Sequence, residues 1–173
     1  MTIKFEVAKG FEDKGINLPK RGTSGSAGYD FEVAEDVTIP SYEGSFQEFV
    51  ERKDAYGDIV SGYIQPKGTL VKTGVKAIMP KRMYLALHSR SSLYNKKGLI
   101  LANGVGVIDA DYANNPDNDG AIMFNFINMG QEPITLLKGE KVGQGIFHEY
   151  FTTCDDDADG ERNGGFGSTG GTK

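Results

Sequence analysis

The stretch Asn103-Gly104-Val105-Gly106-Val107-Ile108-Asp109-Ala110-Asp111-Tyr112, followed after a polar loop by Ile122-Met123-Phe124-Asn125-Phe126, decides the reading of this chain. Two glycines two residues apart permit a tight hairpin whose backbone N–H and C=O groups can approach a flat ligand. Beyond the loop, Ile122, Phe124 and Phe126 fall on one face of a strand, a period of two and not of 3.6. The same alternation recurs outward in both directions, in Met83, Leu85 and Leu87, in Tyr29, Phe31 and Val33, and in Ile3, Phe5 and Val7. The 24 glycines lie in short scattered groups between these runs and supply the turns. No segment sustains a helical stripe over three turns. The best helical candidates are residues 46–53, with Phe46, Phe49 and Val50 on one side, and a single turn near Ser92–Lys97. Many short strands separated by turn signals predict an all-β sandwich or barrel.

A chain of 173 residues is the size of one domain and long enough to bury a core. That domain is expected over residues 1–153. Residues 154–173 are acidic, then glycine-rich, with Phe166 as their one large apolar side chain, a tail that cannot pack a core of its own. No apolar run approaches the roughly 20 residues that cross a bilayer. Met1-Thr2-Ile3-Lys4-Phe5-Glu6 interleaves charges where a secretory signal needs an apolar block, so a cytoplasmic location without membrane attachment is expected. Cys154, the single cysteine, cannot form an internal disulfide, and Asp155, Asp156 and Asp157 beside it disfavour a thiolate. The net charge of −5 argues against a basic face for long nucleic acid. A small polyanion stays compatible with that charge if a few basic side chains converge or a cation helps.

Four segments carry groups suited to chemistry. In the first, the Asn103 side chain offers a donor and an acceptor, a match for the edge of a pyrimidine, and Asp109 follows on the outgoing strand where a carboxylate can orient and deprotonate a water. A glycine-kinked hairpin ending in a carboxylate turn is the plainer reading of that spacing alone. Arg90-Ser91-Ser92 ends a strand ahead of a helical turn, where amides, hydroxyls and a guanidinium form a phosphate site, or else an N-cap beside a solvated arginine. Lys138-Gly139-Glu140-Lys141-Val142-Gly143-Gln144 reads as a turn and a strand, with Gln144 on the face of Val142 and Ile146, bonding either a ligand or a neighbouring backbone. In Arg162-Asn163-Gly164-Gly165-Phe166-Gly167-Ser168-Thr169-Gly170, successive amides and hydroxyls can wrap phosphate oxygens and Phe166 can stack on a base; read alone, it is a flexible terminus.

Taken in order, these segments resemble the five motifs of the trimeric dUTP pyrophosphatases. The first motif is Ala27-Gly28-Tyr29-Asp30 with Ala34 to Pro40, the second Ser89-Arg90-Ser91-Ser92-Leu93, and the third Asn103 to Tyr112 running on to Phe124-Asn125-Phe126. The fourth is Lys138 to Gln144 and the fifth Gly164 to Gly170, with Arg162 ahead of it. The resemblance implies a distorted jelly-roll-like β-barrel of the β-clip type, assembled as a homotrimer whose active sites draw on all three chains, with a flexible glycine-rich arm. It implies cleavage of dUTP to dUMP and pyrophosphate, which limits uracil in DNA. Asp109 would activate the water that attacks the α-phosphorus. Asn103 and the backbone of Gly104 and Gly106 would read uracil, and Tyr112 would pack on the deoxyribose. Arg90, Ser91, Ser92 and Gln144 would hold the phosphates. One Mg²⁺ would ride on the triphosphate, with Asp30 helping through water. The arm would close as a lid, Phe166 over the base and Arg162, Gly167, Ser168 and Thr169 around the γ-phosphate.

The chain departs from that pattern in four places. Ser92 stands where the family has glycine, and Arg162 sits one residue closer to the fifth motif. Ala113-Asn114-Asn115-Pro116-Asp117-Asn118-Asp119 replaces an Arg-Gly pair, and is read as a hairpin extension or as carboxylates touching a cation. Residues 41–65, rich in aromatics such as Tyr42, Phe46, Phe49, Tyr56 and Tyr63, look inserted. They are read as an elaborated hairpin or short helix, or as a docking patch for an unknown protein partner. Two rival functions are weighed. A dCTP deaminase shares the fold and the Arg-Ser-Ser-Leu segment, but the catalytic Glu of that family aligns with Asn125, which cannot shuttle protons. A non-catalytic nucleotide-binding regulator has no use for a carboxylate facing the α-phosphate.

Overall fold

The computed structural model describes residues 2–45, 56, 66–160 and 162, and the backbone of 52–53 and 59–60. Among these residues the strands are β1 Lys4–Val7, β2 Lys20–Arg21, β3 Tyr29–Glu32, β4 Val37–Ile39, β5 Arg52–Lys53, β6 Ile59–Val60 and β7 Thr69–Lys72, then β8 Val75–Ile78, β9 Met83–Ser89, β10 Leu99–Leu101, β11 Gly106–Asp109, β12 Met123–Asn128, β13 Ile134–Leu136 and β14 Lys141–Glu149. One short helix, α1 at Leu93–Lys97, occupies the turn expected there. A five-stranded antiparallel sheet in the order β11-β9-β14-β3-β2 carries the middle of the fold, and β10-β12-β7 form a second sheet. The pairs β1-β8, β13-β4 and β5-β6 complete it, so the all-β, jelly-roll-like expectation holds.

Alternation explains which residues build the core. Phe124 and Phe126 of β12 are buried with their rings stacked, and Phe31 of β3 meets Phe124 edge to face at 5.7 Å between ring centres. Each such ring contributes about 1.5–3 kcal/mol through burial. Leu85 and Leu87 of β9 complete the layer. On β14 the room for these rings comes from missing side chains: a Cβ at Gly143 would overlap the Phe124 ring.

Two expectations change. Gln144 does not share a face with Val142. A bulge shifts the β14–β3 register between Lys141 and Gly143, so Val142 and Gly143 both face the core and Gln144 points away from it. The helical stripe expected over 46–53 does not reach its end, because Arg52–Lys53 pairs antiparallel with Ile59–Val60, β-branched residues suited to a strand. Residues 46–51, on which the rest of that expectation falls, lie outside the described residues, as do most of the side chains of the 41–65 insertion. Among the described residues no helix is long and apolar enough to cross a membrane.

Candidate active site

The glycines form a tight turn and not a paired two-stranded hairpin: β10 pairs with β12 and β11 with β9, so the chain changes sheets between Leu101 and Gly106. The Gly104 N–H bonds the Leu101 carbonyl at 3.1 Å and the Val105 N–H bonds Asn103 at 2.7 Å; Gly104 takes φ +68°, where a side chain would be strained. A cavity of about 310 Å³ opens between this turn and β12, lined among others by Asn103, Gly106, Asp109, Tyr112, Asn125 and Arg162. Five of those six are candidate site residues from the sequence. Asn125 is the addition; in the sequence it is weighed only as the position of the deaminase Glu, an amide interrupting the apolar run Met123–Ile127. Gly104 shapes the turn and does not line the cavity.

Asp109 ends β11 with its carboxylate half exposed toward this space. The Arg162 guanidinium donates to Asp109 Oδ2 and, from Nε, to Asp111 Oδ1 at 2.7 Å, and its centre lies 5.8 Å from the Tyr112 ring centroid. Partial burial pulls the arginine toward neutrality, but Asp111 and then Asp109 outweigh it and hold the charge more firmly than usual. Tyr112 is buried, and burial pushes its phenol above the ordinary range, so the hydroxyl stays protonated at neutral pH.

The 113–119 loop is a hydrogen-bonded extension built around Tyr112. Asn115 Nδ2 donates to the Tyr112 carbonyl at 3.0 Å and to Asn118 Oδ1 at 2.7 Å, and Asn118 Nδ2 donates to the Tyr112 hydroxyl at 2.7 Å. Beneath it the nearly buried ammonium of Lys76 donates to Asn114 Oδ1 at 2.7 Å and Asp119 Oδ2 at 2.8 Å. The Lys9 N–H also reaches that Asp119 oxygen, so the loop's innermost carboxylate is engaged from within the fold.

A second polar cluster sits elsewhere on the chain. Gln144 Nε2 and Lys141 Nζ donate to the two oxygens of Asp30, each at 2.9 Å. Burial alone would raise the Asp30 pKa; the bonds from Gln144 and Lys141 and the nearby charge of Arg90 overcome it, and the carboxyl lies below its usual value. Arg90 and Ser92 line a separate cleft with Lys96, Lys97, Lys141 and Glu140. Ser91, exposed, lies between them in sequence, and Ser92 precedes α1 without a side-chain cap bond. None of these residues lines the cavity at the turn. Among the described residues no group of three or more His, Cys, Asp or Glu is placed to hold a metal. Phe166, Gly167, Ser168 and Thr169 lie outside the described residues.

Comparison with known proteins places this arrangement. The profile of the dUTPase family matches residues 63–170. A deoxyuridine 5'-triphosphate nucleotidohydrolase of Lactococcus lactis subsp. lactis (strain IL1403) is 42% identical over 168 residues, 96% of either chain. One from Desulfitobacterium hafniense (strain DSM 10664 / DCB-2) is 34% identical over 177 residues, covering 98% of this chain and 97% of its own. The crystal structure of dUTPase from Streptococcus mutans superposes with a TM-score of 0.70 at 38% identity, over 87% of this chain and 98% of that one. Sequence, fold and cavity agree, and the chain belongs to the dUTPase family.

Proposed function

We propose that the protein hydrolyses dUTP to dUMP and pyrophosphate, with Asp109 as the general base. The supporting observation is the cavity that gathers Asn103, Gly106, Asp109 and Tyr112: a turn backbone for the base, a buried ring for the sugar, and a carboxylate at the rim where the α-phosphate would emerge. From there Asp109 takes the proton of a water as it attacks the α-phosphorus in line, and pyrophosphate leaves with the electrons of the broken P–O bond. Arg90, Ser91, Ser92 and Gln144 hold the phosphate chain.

Those phosphate groups lie apart from the cavity on one chain, so a complete site needs the cluster of a second subunit set against the turn of the first. A homotrimer meets that need and would cover exposed Leu70, Val107, Met129 and Leu137. Residues 1–153 act as the barrel and residues 154–173 as an arm that brings Phe166, Gly167, Ser168 and Thr169 over substrate, with Arg162 at its root. The donor set suits a cation that arrives on the triphosphate, since each Asp30 oxygen already accepts one bond, from Gln144 or Lys141, and keeps a lone pair for a water on that cation. Mg²⁺ there would neutralise phosphate charge that an acidic protein otherwise repels. The test is a pyrophosphate-release assay across dUTP, dTTP, dCTP and UTP, with and without Mg²⁺. Release from dUTP alone, lost on chelation, is expected; ammonia from dCTP would favour the deaminase instead.

A further inference from the structure

The cleft lined by Arg90, Ser92, Lys96, Lys97, Glu140 and Lys141 concentrates four cations on a chain whose net charge is −5. Among the described residues that line it, Glu140 is the one carboxylate, an odd group to find where phosphates are to be held. The turn ahead of β14 accounts for its presence. Glu140 Oε2 accepts the Leu137 N–H at 3.4 Å, the Glu140 N–H donates to the Leu137 carbonyl at 3.0 Å, and the Glu140 carbonyl accepts the Val33 N–H at 2.9 Å. The residue therefore closes the turn that leads into Lys141 and Gln144. Its other carboxylate oxygen meets the ammonium of Lys97, the last residue of α1, at 2.8 Å, with both side chains 29% exposed. Leu93, buried at the start of α1, and Gly98, whose N–H caps the Tyr94 carbonyl at 2.7 Å, hold that helix in place. Lys141 is paired with Asp30. Arg90 and Lys96 are thus the cations of the cleft to which the described residues offer no carboxylate within ion-pair distance.

We propose that Lys97 is an affinity-determining residue for the triphosphate, acting through Glu140: its ammonium cancels a carboxylate that the turn needs and that the phosphates would otherwise meet as a like charge. The inference rests on the placing of the phosphate chain against Arg90, Ser92 and Gln144 proposed above. At the intermediate dielectric of a cleft, a like charge a few ångström beyond contact weakens binding by roughly 10-fold. The same reasoning runs in reverse. Without the Glu140 charge, Lys97 would join Arg90 and Lys96 as a third unpaired cation, and the cleft would hold any polyphosphate more tightly, the product pyrophosphate included. The pair keeps the cleft between two faults, repulsion of substrate and retention of product.

Lys97→Met, Glu140→Gln and the double variant separate the charge from the fold. Calorimetry with an α,β-imido analogue of dUTP and with pyrophosphate reads the cleft, deoxyuridine serves as the uncharged control, and melting temperatures are measured alongside. Lys97→Met should bind the analogue about 10-fold more weakly at low salt, with the gap closing as salt rises. Glu140→Gln, which keeps an acceptor for the Leu137 N–H, should bind analogue and pyrophosphate several-fold more tightly. The double variant should return to within about 2-fold of wild type, and deoxyuridine should bind all of these proteins alike. Equal weakness in Lys97→Met and the double variant would overturn the inference, since Lys97 would then touch phosphate itself. So would unchanged analogue affinity in Lys97→Met with a lower melting temperature, the sign of a structural pair. If Lys97→Met does not fold, Glu140→Gln decides alone, and unchanged pyrophosphate affinity there overturns the inference. A wild type that binds deoxyuridine but neither analogue nor pyrophosphate would instead remove the placing of the phosphates, and this inference with it.

Discussion

Asn118 donates from its carboxamide to the hydroxyl of Tyr112 at 2.7 Å, while that hydroxyl donates onward to the Ala121 carbonyl at 3.3 Å. Two bonds of fixed direction on one oxygen hold the tilt of a ring that walls the cavity, and Asn115 braces Asn118 in turn. If Tyr112 excludes a ribose 2′-hydroxyl, the loop that holds the ring takes part in sugar selection. Asn118→Ala should lower the preference for dUTP over UTP about 10-fold, with a smaller change in kcat for dUTP. It should also lower the melting temperature by about 2–4 °C for each kcal/mol lost, and the carboxamide gives up three bonds, since its Oδ1 also accepts from Asn115 Nδ2 and the Gly120 N–H. A variant with full sugar preference and reduced stability would restrict Asn118 to a structural part.

The Lys76–Asp119 pair under the same loop makes stability depend on pH. The Lys76 ammonium, then the Lys9 N–H, hold the Asp119 carboxyl below its ordinary value against the opposing effect of burial. A carboxyl with a folded pKa below its unfolded value of about 3.9 stabilises fully above that value, and the contribution disappears as pH falls through the depressed folded one. Asp119→Asn keeps a residue type tolerant of the φ of +58° found here and removes only the charge. Near pH 7 the variant should be less stable by about 1–3 kcal/mol, and thermal melts from pH 7 to pH 3 should show the two proteins converging below about pH 4. A gap that persists undiminished to pH 3 would rule out the pair as its source.

Much of this architecture is legible in the sequence. Met83, Leu85 and Leu87 on one strand and Phe124 and Phe126 on another are buried as their period-two spacing predicts, and Gly106, the second glycine of the turn, lines the cavity. What the sequence hides is non-local. The β14 bulge adds one residue to a strand, and no alternation rule detects that, so Gln144 reads on the wrong face. That Asn125 lines the cavity becomes visible only in the folded chain, and Asn118 becomes informative only once the loop has folded back on Tyr112. The separation of Asp30, Arg90 and Gln144 from Asp109 likewise emerges from strand order and not from motif order.

Gly143 tests the packing side of that argument. Its missing side chain is the space into which the Phe124 ring fits, and Phe124 in turn touches Phe31 and Phe126. The strand backbone and the buried ring cannot both give way, so Gly143→Ala should destabilise by at least about 1–3 kcal/mol, measured by denaturant unfolding. The double variant Gly143→Ala, Phe124→Leu should regain part of the loss. No recovery would mean that the penalty is in the backbone and not in the ring.

Arg162 grips Asp109 and Asp111 together, so the proposed base meets a cation before any substrate arrives. A triphosphate is a stronger partner for a guanidinium than two half-exposed carboxylates, and its arrival would free Asp109 to take a proton from water. Removing only the charge of the base separates binding from chemistry. Asp109→Asn should bind dUTP about as tightly as wild type, since the amide still fits the rim and Asp111 still holds Arg162, while kcat falls on the order of 10³-fold or more. Single-turnover kinetics with calorimetric dUTP binding read the two quantities independently. Turnover near the wild-type rate would return Asp109 to the part of a surface anchor for Arg162, and the water would need another base.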